Sequence, residues 1–174
     1  MGQLNLSQIS SLPDIIKNSK WNARFSKMPA VSGFTSTDVD LRAVTMDVPK
    51  ASVGVIETTI RENTIRTPGR KTYSQTLTLT LLETVDAKTM EFIRQWRELC
   101  NEYNTNKIAS RNSREATILL YLCDDTWSDA WSWKIDRAWL SDYTLPQLGD
   151  GSSPEAIKPS LTLAYTSFVD NKLV

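Results

Sequence analysis

The chain has 174 residues, with 20 Lys plus Arg, 20 Asp plus Glu and a formal net charge of 0. That length suits one domain or a tight pair, and the neutral balance argues against a permanent grip on nucleic acid or an anionic membrane. His is absent, so there is no imidazole base for a Ser/His/Asp or Cys/His site and no imidazole ligand for zinc.

Two cysteines, Cys100 and Cys123, are too few for a Cys-rich metal site or a disulfide framework. No metal or cofactor is expected. The longest apolar run, Ile118 to Cys123, is far short of a membrane span, and Met1-Gly2-Gln3-Leu4 lacks a signal-peptide pattern. Membrane insertion is therefore not expected.

Residues 1–19 read as a polar arm, with one helical turn at Ser11-Leu12-Pro13-Asp14-Ile15-Ile16. Residues 20–174 read as a single β domain. Its first strand alternates Trp21, Ala23 and Phe25 with Asn22, Arg24 and Ser26. Ala30 to Thr37 reads as a turn, Asp40 to Asp47 as a second strand ended by Pro49, and Val53 to Arg61 as a third. Glu62 to Lys71 reads as a charged loop with a turn at Pro68-Gly69.

The clearest strand is Thr72 to Leu82. Tyr73, Gln75, Leu77, Leu79 and Leu81 share one face; Thr72, Ser74, Thr76, Thr78 and Thr80 share the other. Those five hydroxyls without a charge suit a channel lining or a contact between subunits, and equally an ordinary exposed face of high β propensity.

One helix is expected over residues 86–103, capped by Asp86, with Phe92, Ile93, Trp96, Leu99, Cys100 and Tyr103 on its apolar stripe. A polar connector, Asn104 to Glu115, leads to a strand at Ala116–Cys123 that reads as buried on both sides. A further strand over Trp131–Trp139 puts Trp131, Trp133, Ile135 and Trp139 on one core-facing side. The Gly149–Pro154 loop then precedes a last strand, Leu161 to Phe168, with Leu161, Leu163 and Tyr165 inward. Seven strands and one helix imply a mainly β, antiparallel sandwich or barrel with the helix laid on its outside.

Asp124-Asp125 reads as a solvated turn rather than a carboxylate pair for acid/base or metal chemistry, and no spacing makes Lys88 the partner of a serine nucleophile. The Trp127–Trp139 cluster has two readings. It forms a platform for sugar rings or unpaired bases, as in a carbohydrate- or ligand-binding β-sandwich, or it fills a core and a subunit interface; the alternation favours the second.

The order of these elements resembles the tail tube proteins of contractile-tailed bacteriophages. Ala43 to Pro49, the β-branched strand at Val53–Ile60, Gly69-Arg70-Lys71-Thr72-Tyr73, the Thr strand, and a helix opened by Asp86-Ala87 and holding Phe92 and Trp96 carry the likeness. Leu161 to Tyr165 looks like the family's closing strand. The resemblance implies no enzyme. It implies hexameric rings stacked into an inner tube of the virion tail, assembled in the host cytoplasm. A sheath lies outside, the tape-measure protein and passing DNA inside, and a baseplate and tail terminator at the ends. The long, Trp-rich stretch from Asp124 to Leu148 leaves room for a specialised tube initiator, and the haemolysin-coregulated tube protein of secretion systems, which shares the architecture, is the other candidate. On this reading Arg61, Glu62, Arg66, Arg70 and Lys71 contact neighbouring subunits, and Thr72, Ser74, Thr76, Thr78 and Thr80 face the lumen or an interface.

Overall fold

The computed structural model describes residues 16–147, 149 and 155–173. Apart from Ile16 and Gly149, the predicted turn at Ser11–Ile16 and the loop at Gly149–Pro154 lie outside the described residues.

Nine strands are described: β1 Trp21–Lys27, β2 Ala43–Met46, β3 Ala51–Ile60, β4 Asn63–Tyr73, β5 Thr76–Leu81, β6 Ala116–Cys123, β7 Asp129–Thr144, β8 Ser160–Ala164 and β9 Ser167–Lys172. Seven form one antiparallel sheet in the order β1-β6-β7-β8-β5-β2, with β9 also on β7, while β3 and β4 pair only with each other. The expected antiparallel, mainly β fold with a flanking helix is present. The sheet does not close into a barrel, because its path ends at β1 and β2 without joining them.

β7 is the hinge of the architecture. Its first part pairs with β6 and β9, and its last part, from Trp139, pairs with β8. Arg137 sits at φ 57 at a bulge in the β6 ladder, just before the change of partner, and this left-handed value breaks the period-2 alternation. Ile135 is therefore buried, but so are Ala138 and Leu140, and Trp139 turns outward. This corrects the core-facing assignment of the tryptophans. Ile135 is in the core, Trp131 and Trp133 are half-buried, and Trp139 is exposed.

The last predicted strand likewise divides into β8 and β9, with Tyr165 buried at the break. β6 is not buried on both sides: Ala116, Ile118 and Leu120 are buried, while Thr117, Leu119 and Tyr121 are half-buried. Its core face packs on Ile135 and its neighbours, and the other face receives only partial cover from this subunit.

The predicted strand over Asp40–Asp47 shrinks to β2, because a helix, α1 (Ser36–Arg42), occupies its first half and part of the predicted turn. A capping box starts α1: the Asp38 N–H donates to Thr35 Oγ1 at 3.3 Å, and the Thr35 N–H donates to Asp38 Oδ2 at 2.9 Å. Thr35 and Asp38 at that spacing were the signal in the sequence.

The predicted helix is α2 (Lys88–Cys100), and a short turn α3 (Arg111–Arg114) follows. Tyr103 lies beyond the end of α2 and is exposed. Trp96, fully buried, meets the Phe25 ring edge-on at 6.0 Å and donates through Nε1 to the Arg114 carbonyl at 2.8 Å. Phe92 stacks on Phe34 at 4.4 Å. The α2 start differs from expectation. Ala87, at φ 52, takes the capping position, and the Glu83 carboxylate accepts from Met90 N at 2.7 Å and Thr89 N at 3.3 Å. Asp86, one residue earlier, accepts weakly from Lys88 N at 3.4 Å and binds Arg42 Nη2 at 2.9 Å. Helix α2 is thus fixed to α1 and to the core at once.

Candidate assembly surfaces

The predicted charged loop is a strand. β3 and β4 form a hairpin arm about 33 Å long by strand rise, turning at Arg61-Glu62 rather than at Pro68-Gly69. Arg61 and Glu62 have φ 46 and 69, the two positive values that a tight two-residue hairpin turn requires. Pro68 and Gly69 lie at a bulge in the ladder, between the Val53 and Val55 pairings. A Cβ on Gly69 would meet the Gly54 carbonyl oxygen at 3.0 Å and Ile56 Cγ1 at 3.1 Å, so the bulge wants glycine there.

The arm continues the β2–β5 edge of the sheet. Asp47 N–H donates to the Thr78 carbonyl at 2.9 Å, Ser74 N–H to the Lys50 carbonyl at 3.0 Å, and Ala51 then pairs with Tyr73. Gln75, at φ 60, breaks the predicted strand over Thr72–Leu82 where the arm leaves the body. Apart from half-buried Gly69 and Tyr73, every residue of β3 and β4 is exposed.

Register separates the two faces of the arm. Val55/Pro68, Glu57/Arg66 and Thr59/Thr64 pair on one, and Ile56/Thr67, Thr58/Ile65 and Ile60/Asn63 pair on the other. The second face presents Ile56, Ile60 and Ile65, at 54, 55 and 52 % exposed. Sequence reasoning singled out the charges here and missed these three. Their signal was β-branched apolar residues at period 2 in a stretch too charged to be core.

The five charged residues assigned to a neighbour are spread along the arm rather than gathered. Arg61 and Glu62 are at its tip. Arg66 Nε lies 2.8 Å from Glu57 Oε1, and Lys71 Nζ lies 5.2 Å from the centre of its own Tyr73 ring. Arg70 adjoins the bulge.

The predicted hydroxyl face divides at Gln75. Thr72 bonds Ser52 within the arm, Oγ to Oγ at 2.8 Å, and Ser74 bonds the Tyr165 hydroxyl at 2.7 Å. Thr76, Thr78 and Thr80 stay together on the outer face of the sheet, while Leu77, Leu79 and Leu81 are buried behind them. Register extends this face into cross-strand rungs: Thr45–Thr80–Ser160–Thr144, Thr78–Thr162–Asp142 and Thr76–Ala164–Trp139. No Lys or Arg stands in these rungs.

A third surface is the opening between β1 and β2. Trp21, Leu122 and Trp133 on one side and Val44, Met46 and Val48 on the other line an apolar slot of about 500 Å³. None of the described residues lining it is charged.

The tryptophans do not form one platform. The Trp127 ring, at φ 64 in the β6–β7 turn, lies under Lys20 Nζ at 4.2 Å; Trp131 and Trp133 are tilted by 52°; Trp139 faces out from the other half of the sheet. Asp124 Oδ1 accepts from Thr126 N at 2.8 Å and Ser128 N at 2.9 Å, while Asp125 pairs with Lys17 at 2.8 Å, so the two carboxylates serve a turn and a strap. The Thr126 hydroxyl and these amides hold the Asp124 carboxyl below its usual range. Among the described residues no group of three His, Cys, Asp or Glu could hold a metal. No helix among them is long and apolar enough to cross a membrane.

The subunit thus presents an open antiparallel sheet, a projecting hairpin and a hydroxyl face whose rungs hold no Lys or Arg. The T4-like virus tail tube protein gp19 family matches residues 31–169, and the chain belongs to that family. Its role is that of a structural tail tube protein. The fold is shared with a chain in the anti-feeding prophage cap, at 14% identity and TM-score 0.65, covering 93% of this chain and 94% of that one. It is shared with a chain in the sheath-tube complex of the extracellular contractile injection system PVC in its extended state, at 15% identity and TM-score 0.61, covering 98% and 100%. The PVC sheath/tube terminator contains another such chain, at 15% identity and TM-score 0.65, covering 92% and 99%. No curated protein matches the chain.

Proposed function

We propose that the chain polymerises as stacked hexameric rings into the inner tube of a contractile virion tail, and that the tube conducts DNA. The observation that carries this reading is the arm. An isolated two-stranded hairpin is marginal in water, yet here one projects with both faces exposed and three isoleucines on one of them. Such a hairpin gains stability only against another molecule, and an open sheet supplies matching edges for a ring. Arg61, Glu62, Arg70 and Lys71 at the tip and root of the arm then touch neighbouring subunits, as does Arg66 from the face that it shares with Glu57.

In the ring, the face of Thr76, Thr78 and Thr80 lines the lumen, with Thr162 and Ser160 beside them. Thr72 and Ser74, at the root of the arm, lie where neighbouring subunits meet. A lumen of hydroxyls with Asp142 as its carboxylate offers a polyanion no cation to pair with, so DNA passes without being held. The tape-measure protein occupies this lumen before ejection, the sheath grips the outside, and the baseplate and terminator bound the ends. Assembly takes place in the host cytoplasm. Sedimentation of the purified chain tests this: large, concentration-dependent species support it, and a monomer at every concentration overturns it.

A further inference from the structure

The hydroxyl face carries an indole and a carboxylate side by side. Trp139 and Asp142 stand on the last part of β7, opposite Ala164 and Thr162 of β8. Ala164 and Thr162 are two residues apart on one strand, so they share a face. The ladder shifts between Leu140 and Asp142, and that bulge brings Asp142 onto the face of Trp139, one rung and about 7 Å away. The Trp139 ring is 39 % exposed, and Asp142 is exposed too. We propose that Trp139 and Asp142 together hold a lysine or arginine side chain of a basic polypeptide, a contact that rests on the tube reading above for its place in the lumen.

Three observations select that occupant. First, the chain itself uses neither group. Among the described residues, Lys20, Arg42, Lys71 and Arg97 lie over rings other than Trp139, and no aromatic ring packs on it. No described Lys or Arg pairs with Asp142, whose Oδ1 accepts from Tyr143 N at 2.8 Å. The nearby acid Asp47 instead turns its carboxylate to Thr78 N, at 2.9 Å. Second, the pair has the chemistry of a cation clamp. An indole face attracts an ammonium or guanidinium, and a carboxylate adds a charge-assisted hydrogen bond. Third, the rungs around the pair hold Thr76, Thr78 and Thr162 and no Lys or Arg. Those hydroxyls hydrogen-bond the polar groups of a peptide, whereas a phosphate meets a carboxylate and no cation.

Indole N–H resonances of the dispersed subunit test the clamp, with Trp139→Phe identifying the Trp139 signal. Titration with a short Arg-Ala-Ala repeat peptide moves that signal, and a Glu-Ala-Ala repeat does not. Asp142→Asn weakens the binding about fivefold or more and leaves the melting of the subunit unchanged, because Asp142 is exposed. The same peptide sediments with wild-type tubes and far less with Asp142→Asn tubes. An unmoved Trp139 signal, or equal binding by Asp142→Asn, overturns the clamp and leaves the tube reading standing. A thymidine oligonucleotide that moves Trp139 as strongly makes it a base-stacking surface, and spermidine doing so makes it a polyamine site; either overturns the polypeptide assignment. A chain that binds the peptide at Trp139 but never assembles keeps the clamp and overturns the tube reading.

Discussion

Glu57 and Arg66 face each other across the two strands of the arm, Oε1 to Nε at 2.8 Å, with both side chains more than half exposed. The Arg66 charge thus already has a partner within the chain. Exposed pairs of this kind contribute at most about 1 kcal/mol, so Arg66→Ala should leave the melting temperature of the dispersed subunit unchanged and weaken assembly only slightly. Light scattering across a concentration series checks this. A collapse of assembly in Arg66→Ala would show that Arg66 reaches a carboxylate on a neighbour instead.

Gly69→Ala tests the bulge. The added Cβ meets backbone of the facing strand at 3.0 Å, which cannot yield as a flexible side chain can. The variant should fold, because the arm lies outside the core, but its arm should be cut faster by a protease and its assembly impaired. Unchanged cleavage and assembly would mean that the bulge tolerates a side chain.

Trp96→Ala should cost the subunit about 3–5 kcal/mol, the range for emptying a large buried aromatic site. It also deprives the Arg114 carbonyl of its donor and removes the ring that packs on Phe25 and Phe92. Chemical denaturation of the dispersed subunit measures this, and an unchanged midpoint would show that α2 does not close the core.

Acid should loosen α2. The Arg94 guanidinium, and then Gln95, hydrogen-bond Glu91 and lower its carboxyl from 4.5 to about 2. The Thr84 hydroxyl, and then Arg42, lower Asp86 from 3.8 to about 2. Depressed folded-state values give stability that is present above the unfolded value and is lost as pH falls through the folded one. Helical ellipticity of the wild type should therefore decline as pH drops from about 4.5 toward about 2, and Glu91→Gln with Asp86→Asn should flatten the decline. Both carboxylates are exposed, so the effect is modest; an identical acid profile in the double variant would remove them as its cause.

Period 2 was legible wherever a strand had one face on the core. Leu77, Leu79 and Leu81, like Leu161 and Leu163, are buried as their alternation requires, and Phe92, Ile93 and Trp96 form the buried stripe of α2. The pattern failed where a single backbone angle shifted its phase. Gln75 and Arg137 adopt left-handed values that their side chains do not announce, so one expected strand became two and Trp139 changed sides. β3 was legible as the β-branched strand expected over Val53 to Arg61, and β4 was hidden for a different reason: apart from half-buried Gly69 and Tyr73 it is exposed, and Pro68-Gly69, an ordinary turn signal, here marks a bulge. The hydroxyl face was only partly readable, because Ser160, Thr162 and Asp142 join it from strands distant in sequence.

Whether copies of this chain repeat along a tube is visible by negative-stain microscopy of the purified protein at rising concentration. Rings with a stain-filled lumen that stack into tubes of uniform width are expected. Monomeric particles alone at every concentration would show that the chain is not a tube subunit.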